Sequence, residues 1–286
     1  MFDHGRFLQH TPVDENKLYK TKSATFLPGR THSDSVELPG TFEWWSNDTQ
    51  GRYLENLKLM PEDWHYRTKK IHYRINDHGY RTIDMEDVDW SRSVVMFGCS
   101  ELMGTGLADD ERICYQLSKL LDVPVINLGK NGTSNSYSLY NNLVLKYSYK
   151  PLGVVNQWTE LSRHTHFGTN SKTYTSLPSF DVYYAKMYRA VKSLFGFTLD
   201  DWENDMHVNS CMQIQSSRAL WENTPYAEAT WNKFSSEMFD CPYIEQIDNA
   251  RDIYRGGDMF DDSIVGHIGP KTARLFAEHY AEQLNL

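Results

Sequence analysis

The sequence has only four cysteines in 286 residues, and they are far apart. No two of them form a Cys-x-x-Cys pair, which argues against a zinc ribbon and against a disulfide framework, so reduced thiols are expected. No apolar run approaches the roughly 20 residues that span a bilayer. The first residues also lack the charged-then-apolar pattern of a secretory signal. We therefore expect a soluble protein that is not exported by the standard route.

Basic residues are fewer than acidic residues, and the formal net charge is −9. This argues against general nucleic-acid binding, which needs a basic surface to neutralise phosphates. Hydrophobic residues make up 40% and charged residues 23% of the chain, which is typical of a globular protein. Aromatic residues are abundant at 14%. We expect most of them to fill the core, although some can stack on sugar rings.

Cofactor and metal motifs are absent from the sequence. Gly104-Thr105-Gly106 lacks the Gly-Lys-Ser/Thr that completes a phosphate-binding loop. His164 and His166 have a spacing that metals use on a strand, but no third ligand is evident. We therefore expect neither a metal nor a cofactor.

The first 92 residues differ from the remainder of the chain. They are polar and aromatic, and they contain one clear strand candidate at 71–75, followed by a turn signal at 76–79. We interpret residues 1–92 as an N-terminal extension that packs on the main domain or on a protein partner.

Residues 93–286 alternate between strand and helix patterns. Strands are predicted at 94–97, 123–128, 152–158 and 242–247, and helices at 134–149 and 271–284, with another helix opening at the acidic residues 109–111. The long region 164–240 is interpreted as an inserted helical cap. Such alternation predicts a mostly parallel sheet with helices on both faces.

A serine follows the first of these strands directly, in Gly98-Cys99-Ser100 with Gly104 behind it. Open α/β sheets place their ligands at the carboxyl ends of the strands. Ser100 is therefore a candidate functional residue, although this short pattern taken alone favours a structural turn serine.

Two further segments strengthen the candidate: Asn127-Leu128-Gly129-Lys130-Asn131-Gly132-Thr133, and His267-Ile268-Gly269-Pro270 before the last helix. With Gly98-Cys99-Ser100 they resemble, in order, three blocks of the SGNH/GDSL hydrolase superfamily. The resemblance covers about 93–286 and is closest to uncharacterised phage and bacterial SGNH-like proteins. It implies a three-layer α/β/α, flavodoxin-like fold.

The resemblance also implies roles for individual residues. Ser100 would be the nucleophile and His267 its base, and the backbone N–H groups of Ser100 and Gly132 would bind the oxyanion. The asparagine of the family's third block is replaced here, with Thr159 at the matching position and Asn156 earlier in the strand. A threonine hydroxyl can still donate one hydrogen bond to an oxyanion.

The acid is the second departure from the family pattern. The family places Asp three residues before the histidine, where this chain has Ile264. Asp262 lies five residues before His267, with Asp261 and Asp258 behind it. We predict Asp262 as the acid, and a Ser–His dyad is the alternative.

The resemblance implies a serine esterase that works through an acyl-enzyme, on O-acetylated carbohydrate or another short-chain ester. Two alternatives remain open. One is an O-acyltransferase that uses the same acyl-enzyme. The other is a weakly active or inactive SGNH scaffold with a binding or structural role, as in a phage virion. The expected partner is a small-molecule or polysaccharide ester, with no nucleic acid or membrane, and the expected location is cytoplasmic or virion-associated.

Overall fold

A parallel sheet lies at the centre of the molecule in a computed structural model that describes residues 39–45, 48–167, 173–176, 182–255 and 264–286. In the described part of the chain its four strands are β3 (Val94–Phe97), β4 (Val125–Asn127), β5 (Gly153–Trp158) and β8 (Tyr226–Thr230). Their order across the sheet is β4-β3-β5-β8. Strands β3 and β5 are buried along their whole length, as expected for parallel strands covered on both faces.

Helices cover both faces of this sheet. The helices of the described residues are α1 (Gln50–Asn56), α2 (Ser100–Met103), α3 (Ile113–Leu121), α4 (Asn135–Ser148), α5 (Val182–Phe195), α6 (Leu199–Leu220), α7 (Lys233–Phe239) and α8 (Pro270–Leu284). Short 3-10 turns occur at His65–Arg67, Met85–Asp87, Trp90–Arg92 and Asp109–Glu111. Helices α3 and α8 pack together on one face, and α4 packs with α6 on the other. The predicted three-layer α/β fold is confirmed.

Three two-stranded antiparallel pairs complete the strands of the described residues. They are β1 (Gly40–Phe42) with β2 (Tyr73–Ile75), β6 (His164–Phe167) with β7 (Thr173–Ser176), and β9 (Tyr254–Arg255) with β10 (Ile264–Val265). The β9–β10 pair belongs to a longer hairpin near the C-terminus, which is important for the candidate site.

The position of the fourth sheet strand differs from the prediction. We predicted a strand at 242–247, but the structure has only a single bridge there, between Thr230 and Tyr243. The strand that pairs with β5 is β8, which lies inside the region interpreted as a helical cap. That region therefore contains a part of the central sheet as well as α5 and α6.

Glu228, in the middle of β8, is the reason that this strand was missed. A carboxylate breaks the apolar pattern that predicts a buried strand. In the folded protein the side chain accepts hydrogen bonds at 2.8 Å from Trp158 Nε1 and from Arg218 Nε. Burial of this carboxylate is tolerated because it is paired and hydrogen-bonded.

The described part of the N-terminal extension shares a core with the α/β domain. Tyr66, Ile71 and Tyr73 are buried in one cluster with Met103 and Ala108. The segment therefore packs directly against the end of α2 and the loop that follows it.

Among the described residues, no helix is both long enough and apolar enough to cross a bilayer.

Candidate active site

Ser100 lies at the carboxyl edge of the central sheet. Strand β3 ends at Phe97, Gly98 and Cys99 form the connection, and Ser100 is the first residue of α2. A Cβ at position 98 would lie 3.0 Å from Leu102 Cβ and 3.1 Å from Gln157 Cβ, so the connection needs a glycine there. As the first residue of a helix, Ser100 has a backbone N–H without an intrahelical acceptor.

His267 lies on the C-terminal hairpin, in which residues 248–255 run antiparallel to residues 264–269. Asn249 and Ile268 form a bridge, and the Ala250 N–H donates to the His267 carbonyl at 2.9 Å. This pairing places the Asp252 carboxylate beside the imidazole, where its Oδ2 is hydrogen-bonded to His267 Nδ1. The Asp252 side chain is completely buried, and the His267 side chain is 12% exposed.

Among the described residues, the acid that contacts His267 is Asp252, and the choice of Asp262 stays a prediction. Asp262 itself lies outside the described residues, as do Asp258 and Asp261. The physical reason is the hairpin: it brings a residue 15 positions upstream next to the histidine. The family pattern instead uses an acid three positions upstream.

Glu101 connects the nucleophile segment to the histidine segment. Its Oε2 accepts a hydrogen bond from the Ile268 N–H at 2.8 Å, so the residue after Ser100 contacts the residue after His267. Burial lowers the pKa of His267, but the nearby Asp252 and Glu101 carboxylates outweigh burial and raise the pKa to about 9. Burial also raises the pKa of Glu101.

Arg163 is a positively charged residue that interacts with Glu101. It lies on the turn after β5, and its Nε donates to Glu160 Oε2 at 2.9 Å. Burial lowers the pKa of the Arg163 guanidinium, but the charge of Glu160 and its hydrogen bond, together with the charge of Glu101, raise it overall. Arg163 therefore interacts with Glu101, the residue after Ser100.

The loop between β4 and α4 runs alongside the Ser100 connection. Lys130 N–H and Thr133 Oγ1 both donate to the Gly98 carbonyl, at 3.1 and 3.2 Å. Gly132, in the same loop, has a φ of +64°. This left-handed conformation favours glycine, and the two hydrogen bonds hold the loop against the residues that precede Ser100.

Thr159 directly follows β5, the strand next to β3. Its backbone is fixed by Asn135, whose Oδ1 accepts from the Thr159 N–H at 3.1 Å. The Thr159 Oγ1 is buried and has no hydrogen-bond partner among the described residues. Asn156, the asparagine earlier in the strand, uses its side chain in the core, where its Nδ2 donates to Tyr226 Oη at 3.2 Å.

The segments around the candidate site contain other buried polar atoms that have no partner among the described residues. They are Asn131 Nδ2, both polar atoms of the Gln157 amide, and Asp252 Oδ1. Native proteins rarely leave such atoms unpaired, and a polar ligand or water bound at the site would pair them.

Metal binding has no support in the described residues. Among them, no group of three or more His, Cys, Asp and Glu side chains has the arrangement of a metal site. The backbone of His164 and His166 lies in β6, and the pKa of His164 is lowered by burial.

No family model matches this chain, and no curated protein matches it. Solved structures similar to it include a G-D-S-L family lipolytic protein from Desulfitobacterium hafniense (13% identity, 68% of this chain and 99% of that one, TM-score 0.34). An acetyl xylan esterase from Butyrivibrio proteoclasticus has 9% identity over 76% of this chain and 68% of its own, with a TM-score of 0.38. A psychrotrophic esterase from a Pseudoalteromonas species has 15% identity over 68% of this chain and 97% of its own, with a TM-score of 0.35.

These are distant likenesses, and the relation to phage proteins stays a prediction.

The site residues that the sequence patterns did not reveal are Glu101, Asp252 and Arg163. Asp252 had no local signal, because its contact with His267 depends on the pairing of two chain segments. Glu101 and Arg163 lie close to predicted site residues, but an isolated charge beside a motif does not reveal which way its side chain points.

Proposed function

We propose that the protein is a serine ester hydrolase in which Ser100 is the nucleophile, His267 the base and Asp252 the acid. The observation that carries the proposal is the Asp252–His267 hydrogen bond on a hairpin that contacts the Ser100 helix through Glu101 and Ile268. A buried carboxylate on Nδ1 fixes the tautomer that leaves Nε2 free to accept a proton.

The reaction would follow from these positions. Ser100 Oγ attacks the ester carbonyl carbon while His267 Nε2 takes the hydroxyl proton. The carbonyl oxygen becomes an oxyanion, for which the candidate donors are the N–H groups of Ser100 and Gly132 and the hydroxyl of Thr159. The intermediate collapses to an acyl-serine as the bond to the alkoxide oxygen breaks, and the imidazolium gives its proton to that oxygen, which leaves as the alcohol. Water, deprotonated by His267, then attacks the acyl carbon; the bond to Ser100 Oγ breaks, the acid is released and the imidazolium returns the proton to Ser100 Oγ.

The substrate class we propose is an O-acetylated carbohydrate or another short-chain ester. Acyl transfer to a sugar hydroxyl would use the same acyl-serine, and only the acceptor would differ.

The test uses wild type and Ser100→Ala with a fluorophosphonate probe and an aryl acetate. Wild type is expected to be labelled and to hydrolyse the ester, and Ser100→Ala to lose both, with kcat reduced by about 10⁶-fold. Intact-protein mass spectrometry identifies the modified residue. Ser134→Ala, which removes a buried hydroxyl from the start of α4, is the matched control.

Absence of labelling and hydrolysis in folded wild-type protein would overturn the proposal in favour of a binding or structural scaffold. Labelling that persists in Ser100→Ala would place the nucleophile elsewhere. If the enzyme is active, acetate release from acetylated polysaccharides, with and without added sugar acceptors, then separates hydrolysis from transfer.

A further inference from the structure

The residue before the candidate acid, Arg251, belongs to a buried ion pair with the N-terminal segment. Arg251 Nε donates to Asp48 Oδ1 at 2.8 Å, and Arg251 Nη2 contacts Asp48 Oδ2. Both side chains are almost completely buried, at 2% and 1% exposure, and the two residues are 203 positions apart. Such a two-bond contact fixes the guanidinium in orientation as well as in position.

Further contacts hold the same guanidinium. Its Nη2 donates to the Glu43 carbonyl at 2.9 Å, and its carbon lies 4.1 Å from the centre of the Trp44 ring. Tyr73 Oη donates to Asp48 Oδ2, so the acidic partner is fixed as well. All of these residues belong to the N-terminal segment, which therefore surrounds the Arg251 side chain.

The backbone at position 251 is also fixed from both sides. The Arg251 N–H donates to the Gly106 carbonyl at 3.0 Å, and Asn56 Nδ2 donates to the Arg251 carbonyl at 3.3 Å. Gly106 has a φ of +76°, and a Cβ there would lie 2.9 Å from Asp252 Oδ1. The Asp252 carboxylate therefore sits against this loop, directly after a residue that cannot easily move.

We propose that the Asp48–Arg251 pair positions Asp252 against His267, so that the N-terminal segment is a part of the catalytic unit. The inference rests on the proposed function for its consequence in catalysis. Neither residue touches the reacting atoms, and both are positioning residues. Among the described residues, the Asp252 carboxylate has one hydrogen-bond partner, His267, and its other oxygen has none. Its orientation therefore depends on the backbone that carries it.

Substitution of both partners separates this role from simple charge effects. Asp48→Asn/Arg251→Met leaves the net charge unchanged and leaves no buried charge unpaired, so the fold is expected to survive. The groups that face His267 are Asp252 on the hairpin, Glu101 on α2 and Cys99 before it, with Arg163 facing Glu101. All of these are kept in the variant.

The primary measurement is the pKa of His267, from the pH dependence of its ring NMR signals, assigned by comparison with His267→Gln. If Asp252 is displaced, this pKa falls from about 9 toward the ordinary 6.5. In the enzyme assay kcat/KM is expected to fall by about 10²-fold, mostly in kcat, because a small misplacement of a catalytic group is costly.

The single variant Arg251→Met separates the two effects by the direction in which the pKa of His267 changes. Loss of a nearby positive charge alone would raise the pKa of His267, whereas loss of positioning would lower it. Lys69→Met/Glu111→Gln is the matched control, because this pair also joins the N-terminal segment to the main domain, with Lys69 Nζ 2.7 Å from Glu111 Oε1. It makes no contact with Asp252, and its His267 pKa is expected to stay near 9.

A double variant that is folded, keeps the wild-type pKa of His267 and keeps its kcat/KM would overturn the inference. The NMR measurement does not depend on activity. If wild type is not labelled by the fluorophosphonate, the proposed function fails, while the pKa comparison still shows whether the ion pair positions Asp252.

Discussion

The two sides of the candidate site are held by different kinds of contact. The nucleophile side is local, since α2 is closed by the Met103 and Gly104 N–H groups, which donate to the Cys99 and Ser100 carbonyls at 3.0 and 3.1 Å. The acid–base side depends on contacts over long sequence distances. Ile268 is held by Glu101, 167 positions away, and Arg251 by Asp48.

This difference determines how each side should respond to change. Local backbone hydrogen bonds form wherever the strand-to-helix connection folds, so the Ser100 turn is expected to tolerate substitutions elsewhere in the chain. The hairpin with Asp252 and His267 has only two short strands, β9 and β10, of its own. Its geometry therefore depends on side chains from distant segments, and substitutions there should alter the imidazole before they alter the nucleophile.

Among substitutions that leave Ser100 and His267 in place, the largest effect is expected on the acid–base side. Asp252→Asn should reduce kcat/KM for an aryl acetate by about 10⁴-fold, because the amide favours the wrong imidazole tautomer. Asp262→Asn is the control and should stay near wild type, since His267 Nδ1 is already hydrogen-bonded by Asp252. Steady-state kinetics of both variants provide the measurement. If Asp262→Asn reduced kcat/KM more than Asp252→Asn, the catalytic acid would lie in the segment between β9 and β10.

On the nucleophile side, Thr159→Val should reduce kcat by about 10²-fold with little change in KM, because a hydroxyl donor to the oxyanion acts mainly in the transition state. The folded protein should lose no hydrogen bond, since Thr159 Oγ1 has no partner. Ser217→Ala is the matched control, as Ser217 Oγ on α6 is also buried and unpartnered. Equal kinetics for Thr159→Val and wild type would remove Thr159 from the oxyanion site.

The smallest effect is expected at the link between the two sides. His267 accepts a proton only when it is neutral, and its pKa is raised to about 9, so kcat/KM should increase as the pH rises from 7 through 9. Glu101→Gln removes one of the charges that raise this pKa, while its amide oxygen can still accept from Ile268 N–H. The rise should therefore shift to lower pH, with several-fold higher activity at pH 7.

The pH profile of Glu278→Gln is the control for this shift. Glu278 is an exposed carboxylate on α8 that pairs with Arg274, so its loss should leave the profile unchanged. A Glu101→Gln profile that superimposes on wild type would mean that Glu101 does not act on the charge of His267.

Much of the fold was predictable because its signals are local. The apolar run of β3, the helical spacing of α8 and the serine cap of α4 each depend on residues within one turn or strand. Strand β8 was not predictable in this way, because Glu228 is acceptable in the sheet only through partners that lie on β5 and α6.

For the site, the sequence alone determined the Gly98-Cys99-Ser100 connection at the end of a buried strand and the glycine-rich loop that contains Gly132. Both are set by short-range steric demands, the close approach at Gly98 and the positive φ at Gly132. Only the tertiary structure decided that Asp252 contacts His267 and that Asp48 holds Arg251. Side chains that are far apart in sequence meet through the pairing and packing of whole segments, and no short pattern records which segments will pair.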